Sequence, residues 1–213
     1  DGSVTFNSTL DAAQAGDQNL TIATDVAPVL FTGAIGGTTA VGDLSITTNA
    51  RNITFSNAVT LAGGAFALAA STGSGPGNIA FGSTLNGNGA GSLDDVSLTA
   101  DVGNITFTGA IGGTPNTVGS LSFVSAEDIT TASVTAGSIN QTAGSGTTTF
   151  GGAVVTETAT GIDLNGNAFT FQNIVDTETT GDGVFTITNA GAFTTQDTLT
   201  IGGVYTQDGA GAS

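Results

Sequence analysis

The chain has 213 residues, of which 34 are Gly and only 8% are charged, and it contains no Cys, Met, Trp or His. Seventeen acids face one base, Arg51, so the formal net charge is −16 and nucleic-acid binding, which needs clustered Lys and Arg, is excluded. Regularly spaced Val, Ile, Leu and Phe argue against disorder, and the lack of an apolar run of about 18 residues predicts no membrane insertion.

Short segments of alternating apolar and polar residues recur from the first residues to the last. In Asn104-Ile105-Thr106-Phe107-Thr108 the character changes at every step, which is the period of a strand with one buried side. Gly, Asn, Asp and Ser bound the segments, as they bound turns. The first apolar residues of these segments are Val4, Val29, Ile53, Ile79, Ile105, Ile129, Thr148, Phe169 and Phe193.

One stretch of the chain repeats letter for letter. Phe31-Thr32-Gly33-Ala34-Ile35-Gly36-Gly37-Thr38 returns 76 positions later as the eight residues from Phe107 to Thr114. Two weaker copies, beginning at Ile53 and Ile79, lie between them, so the interval divides into three units. The glycine-rich Gly33–Gly37 run predicts a tight connection, since neither a helix pattern nor a Lys follows it as a phosphate cradle would require.

A second apolar element follows in each unit. Most copies pair two apolar residues, as in Leu20/Ile22 and Val96/Leu98, whereas the sixth unit offers only Ile139. Nine units result, with the sixth and seventh shortened to 19 and 21 residues. A unit of about 24 residues cannot bury its own apolar face, so stacking of successive units is expected.

The sequence therefore predicts an all-β fold, a parallel β-solenoid of about nine rungs forming one domain over residues 1–213. An antiparallel β-sandwich is the alternative, because the Gly-rich connections also suit hairpins. Recurrence of the same residue type at the same phase favours the solenoid. The predicted core stack consists of Phe6, Phe31, Phe55, Phe81, Phe107, Phe150, Phe171, Ile53, Ile79 and Ile105.

The residues just before the strands suggest a polar corner. Asn52, Asn78 and Asn104 occupy one column, where side-chain amides can hydrogen-bond along the axis as an Asn ladder. Each of the three Asn residues also suits an ordinary turn, and this alternative stays open.

Residues 103–114, together with Gly146-Thr-Thr-Thr-Phe-Gly-Gly-Ala-Val154, resemble giant bacterial β-strand-repeat surface proteins. These are similar to filamentous-haemagglutinin-like adhesins and autotransporter passengers. The resemblance covers nearly the whole chain and implies an exported, fibrous protein that acts in adhesion, cell coating or filament formation. This chain shows no secretion domain or receptor-binding motif of that family, so we expect it to be a segment or subunit of a larger assembly.

The amino-acid composition of this chain gives little support for an enzymatic activity. Without His, Cys or Lys the usual bases and nucleophiles cannot be assembled, and no catalytic residue or cofactor is expected, so the chain is predicted not to be an enzyme. Calcium is the one candidate ligand. Its oxygen ligands would be Asp94 and Asp95 in a Gly-containing loop from Gly89 to Asp95, or Asp163 and Asn165 in a Gly-containing loop from Asp163 to Asn167. Ordinary polar turns explain the same residues.

The expected function is structural and extracellular. Exposed end rungs would pair with another copy or a neighbouring repeat and build a fibre, filament or adhesin stalk. A module that binds surface carbohydrate is the alternative. Outward Thr pairs such as Thr106/Thr108 and Thr186/Thr188 are also typical of ice-binding solenoids, but Thr is an ordinary exposed strand residue and the rung lengths are irregular.

Overall fold

A computed structural model describes residues 2–70, 75–87, 94–177 and 182–209. Their regular structure is strand only, and every strand pair is parallel. The chain winds as a three-faced coil in which each turn lays one strand on the first face and one on the third, and a shorter strand or an isolated bridge on the second. The predicted parallel β-solenoid is confirmed, and the antiparallel sandwich is wrong.

The first face is a nine-stranded sheet, with one strand from each rung. Its strands are β1 (Val4–Phe6), β3 (Val29–Phe31), β5 (Ile53–Phe55), β8 (Ile79–Phe81), β11 (Ile105–Phe107), β13 (Ile129–Thr131), β15 (Thr147–Phe150), β18 (Ala168–Phe171) and β21 (Phe193–Thr195). Rungs are numbered 1 to 9 by these strands. Val29 pairs with Ile53 and Ile53 with Ile79, so the predicted register is confirmed, and it includes Thr148, which pairs with Ile129.

The second face is narrow and partly formed by isolated bridges at Leu10, Ile35 and Ile111. Its strands are β6 (Val59–Thr60), β9 (Leu85–Asn86), β16 (Val154–Thr156), β19 (Val175–Asp176) and β22 (Leu199–Thr200). The sequence analysis predicted two apolar elements in each unit and did not define this face. Ile35 is buried here, so the glycine-rich run carries a core residue between its turns.

The third face carries the second apolar element of each unit. Its strands are β2 (Leu20–Thr24), β4 (Leu44–Thr48), β7 (Phe66–Ala69), β10 (Val96–Thr99), β12 (Val118–Ser125), β14 (Val134–Gln141), β17 (Ile162–Gly166), β20 (Phe185–Asn189) and β23 (Tyr205–Asp208). Ile139 pairs with Leu121 on one side and Ile162 on the other, which places the weak sixth copy in register.

The shortened sixth unit has a visible cause. β14 runs without interruption from the second face to the third, pairing with β16 through Val134 and with β17 through Ile139. In rung 2, by contrast, residues 36–40 form a loop between Ile35 and Val41, both of which bridge to the next rung. Loss of that loop shortens the rung while its strands still pair with both neighbouring rungs.

Candidate functional site: the axial stack, its corners and its end rungs

A column of Phe rings runs along the inside of the first face. Phe6, Phe31, Phe55, Phe81 and Phe107 stack in sequence with ring centroids 4.5, 5.2, 4.7 and 4.3 Å apart and interplanar angles of 7 to 15°. Strand pairing fixes this arrangement, because equivalent residues of parallel neighbours lie directly above one another. Ile53, Ile79 and Ile105 form the adjoining column and are fully buried.

The column is interrupted in rung 6. Thr131 takes the aromatic position there, pairing with Phe150, and stacking resumes between Phe150 and Phe171 at 4.6 Å. Phe150 and Phe171 therefore belong to the predicted column but form a separate stack. In rung 9 the same position is Thr195, which pairs with Phe171.

Polar side chains lie inside the coil next to this interruption. The Thr148 hydroxyl donates to Gln141 Oε1 over 2.8 Å, and both residues are buried. The Thr131 hydroxyl is also buried, and among the described residues it has no hydrogen-bond partner. Rungs 6 and 7 thus hold a polar patch that the apolar repeat alone does not predict.

The Asn column lies at the corner before the first face, and its hydrogen bonds differ from the predicted amide-to-amide ladder. Asn52 Oδ1 accepts from the backbone N–H of Asn78 at 3.0 Å, and Asn78 Oδ1 accepts from that of Asn104 at 2.8 Å. The series continues in the next two rungs, where the Asp128 N–H donates to Asn104 Oδ1 and the Thr147 N–H donates to Asp128 Oδ1. Each side chain therefore satisfies a donor of the next rung. Gly103 lies over Gly77 so closely that a Cβ would contact the Gly77 carbonyl, which explains the glycine before Asn104.

At the corner before the third face, carboxylate and amide oxygens likewise accept from backbone N–H groups of the next rung. The sequence analysis did not predict these hydrogen bonds. Asp43 Oδ1 accepts from Ala65 N–H at 2.8 Å, and Asn19 Oδ1 accepts from Asp43 N–H at 2.8 Å. The sequence feature that could have predicted these hydrogen bonds is the polar residue directly before each of Leu20, Leu44 and Val96.

Asp11 adds a related contact on the second face, where its carboxylate accepts from the N–H groups of Thr38 and Thr39 at 2.8 and 3.3 Å. Those two hydrogen bonds, the Thr38 bond first, hold the pKa of Asp11 below its ordinary value. The Asp11 carboxylate therefore stabilises the loop of the next rung that contains Thr38 and Thr39.

The two pairs of candidate calcium ligands lie at separate places on the coil. Asp94 is buried and accepts from Gly63 N–H, while Asp95 Oδ1 accepts from the backbone and hydroxyl of Ser120 at 2.8 and 2.7 Å. Asp163 and Asn165 lie on strand β17, facing outward, and not in a loop as expected. Three strand spacings, about 14 Å, separate β17 from β10, which directly follows Asp95.

The Gly89–Leu93 part of the first candidate lies outside the described residues. Within the described ranges no group of three or more acids is placed to hold a metal ion. No described segment forms a helix long and apolar enough to span a membrane.

The two end rungs leave the core columns partly open. In rung 1, Val4, Phe6, Leu10, Leu20 and Ile22 pack against the core but remain partly exposed. In rung 9 the same is true of Phe193, Leu199 and Ile201, and Tyr205 is 42% exposed. Burial raises the pKa of the Tyr205 phenol above 10.0.

Two shallow depressions adjoin Ala143 and Gly144 at the corner between the third and first faces. One has a volume of about 250 Å³ and the other about 420 Å³. The smaller is lined by Thr142, Ala143, Gly144, Asn165, Gly166, Asn167 and Ala190. The larger is lined by Asp101, Val102, Ser125, Ala126, Ala143, Gly144 and Ser145.

Comparison with models of protein families, with curated proteins and with solved structures gives no match for this chain.

Proposed function

We propose that this chain is a non-enzymatic structural module of an extracellular or cell-surface fibre, a rod lengthened by stacking rung on rung. The observation that carries the proposal is that columns buried in the middle rungs are left partly open in rungs 1 and 9. The resemblance to bacterial β-strand-repeat surface proteins agrees with such a role.

The two ends have complementary chemistry. If rung 9 of one copy lies below rung 1 of the next at the same phase, Phe193 meets Val4, Leu199 meets Leu10, and Tyr205 meets Leu20. Three apolar pairs then leave water, and the free backbone groups of both end strands become paired. Further rungs of a longer polypeptide would cover the same surfaces in the same way.

Charge sets the conditions for stacking. Nine strands make a rod about 40 Å long. A net charge of −16 on each rod opposes association at low ionic strength, and screening at about 0.1 M salt shortens that repulsion to about 10 Å. End-to-end growth should therefore increase with salt and with protein concentration.

Electron microscopy and fibre diffraction test this proposal. At high concentration in native salt we expect rods in multiples of about 40 Å with an axial repeat of about 4.8 Å. Val4→Asp should stop growth by charging the rung 1 surface, whereas Val102→Asp, at an exposed corner of rung 4, should leave growth unchanged. Single rods under all conditions would contradict self-stacking.

A second candidate, a carbohydrate-binding adhesin module, is supported by the two corner depressions. Thr142, Asn165 and Asn167 offer hydroxyl and amide groups around a floor of Ala and Gly. A glycan array should then show binding that is lost in Asn165→Ala/Asn167→Ala and kept in Asn7→Ala, an exposed site on the first rung. Equal binding by both variants, or none by the wild type, would remove this candidate.

A further inference from the structure

The outward side of the first face forms an unbroken column of side chains, one from each rung, and all but Leu30 are Thr or Ala. From rung 5 to rung 9 the column is threonine only, and strand register aligns each residue with the next. The whole column is Thr5, Leu30, Thr54, Ala80, Thr106, Thr130, Thr149, Thr170 and Thr194.

Two flanking columns widen this surface. The column before it contains Asn52, Asn78 and Asn104 and ends in Thr147, Ala168 and Ala192. The column after it contains Thr108, Ala132 and Gly151. We call the three columns together the threonine band, consisting of residues 3, 5 and 7 and their equivalents in rungs 2 to 9. Each of these positions lies in the described ranges.

The band differs in charge from the rest of the rod. Among its described residues Asp128, at one edge, is the only ionisable side chain. The acids lie elsewhere, as at Asp43 in a corner, Asp163 on the third face and Asp176 on the second. On a chain of net charge −16, the band is a side through which the described parts of two copies can approach with few like charges in contact.

We propose that the threonine band is a lateral interface at which two copies of this chain pack face to face. Both copies carry the same strand spacing, so threonine methyl and hydroxyl groups of one can interdigitate with those of the other along the whole rod, as in paired β-sheets. This interface is separate from the end rungs, and it would join rods side by side.

The available area matches a weak dimer. A band about 40 Å long and about 15 Å wide buries about 600 Å² on each copy, or about 1,200 Å² in total. That total lies at the lower limit for specific, stable interfaces. A two-fold contact of identical surfaces closes on itself, so the lateral product is a dimer, whereas end-to-end stacking is open-ended.

Analytical ultracentrifugation at low and high salt tests the proposal. The wild-type chain should form a dimer whose dissociation constant falls at least tenfold on going to high salt, because the remaining repulsion is screened. Thr106→Asp/Thr149→Asp places like charges inside the band of both copies and should weaken the dimer at least a hundredfold. The matched control Thr47→Asp/Ser97→Asp adds the same charge to outward positions of the third face and should dimerise as the wild type does.

Combination with Val4→Asp separates lateral packing from axial stacking. That substitution should remove species larger than the dimer and leave the dimer itself intact. The proposal is overturned if the wild type stays monomeric at all concentrations, which would leave the band to a different partner. It is also overturned if both double variants lose the dimer equally or both keep it, provided that circular dichroism shows each to be folded.

Discussion

Rungs 2 to 5 and rungs 6 and 7 share the same parallel strand pairing but fill their interiors differently. In the first region each first-face strand supplies an apolar residue and a Phe, and the rings form one continuous stack. In the second region Thr131 and Thr148 replace a Phe and an apolar residue, and Gln141 enters from the third face. Backbone pairing therefore holds the coil together across a local change of core chemistry, and the stability of each region should depend on different side chains.

The largest expected effect is loss of a ring from the middle of the stack. Phe81 is 1% exposed and stacks on both Phe55 and Phe107, so Phe81→Ala should lower the free energy of unfolding by about 3–5 kcal/mol. Phe150 has one stacked neighbour, so Phe150→Ala should cost about 0.5–1.5 kcal/mol less. Urea denaturation followed by circular dichroism measures both values. An equal or larger loss for Phe150→Ala would show that stacking does not distinguish the regions.

The next effect belongs to the polar patch. Thr148→Val keeps the shape of the side chain but removes the donor to Gln141, leaving a buried carboxamide oxygen unpaired. We expect a loss of about 1–3 kcal/mol in the free energy of unfolding, measured by the same denaturation. The double variant Gln141→Leu/Thr148→Val should recover most of that loss, since both polar groups are then gone. A double variant as unstable as Thr148→Val would mean that packing, not hydrogen bonding, is responsible.

The same substitution one rung away should have the opposite sign. The Thr131 hydroxyl is buried without a hydrogen-bond partner among the described residues, so Thr131→Val removes a polar group that gains nothing from burial. The free energy of unfolding should rise by about 1 kcal/mol. Thr130→Val, at the exposed neighbouring position, is the control and should change stability by less than about 0.5 kcal/mol. A destabilised Thr131→Val variant would indicate a partner for that hydroxyl.

Most of the coil could be predicted from sequence because strand period and repeat phase report directly on burial and stacking. Val29, Ile53, Ile79 and Ile105 recur at nearly constant spacing, and parallel register places them over one another. The narrow second face was harder to define, since a single buried residue such as Ile35, held between glycines, has no alternating pattern.

The polar interactions could be predicted only in part. The Asn column was visible in the sequence, but whether Asn78 bonds to a side chain or to the backbone of Asn104 depends on the corner geometry. Asp163 and Asn165 looked like loop ligands because Gly and Asn follow them, yet pairing with β20 holds them on a strand. Composition near a turn does not determine where the strand ends.

The smallest expected effect compares the two identical octapeptides. The Leu10–Ile35 and Leu85–Ile111 bridges place Asp11 below the first copy and Asn86 at the equivalent position below the second, and the Asp11 carboxylate accepts from the Thr38 N–H. The pKa of Asp11 lies below 3.8, and a lowered folded-state pKa means that its contribution to stability is present at neutral pH and lost as pH falls through that pKa.

Asp11→Asn should therefore be slightly less stable than the wild type at neutral pH, and the difference should vanish in acid. Carboxyl NMR of Asp11 should give a pKa below 3.8, and the Thr38 amide should titrate with it. The Thr114 amide, at the equivalent position of the second copy, is the internal control and should not follow that titration. If the Thr114 amide signal changes with pH in the same way as the Thr38 signal, the Asp11 carboxylate is not the cause of the change. The two octapeptide loops then respond to acid alike.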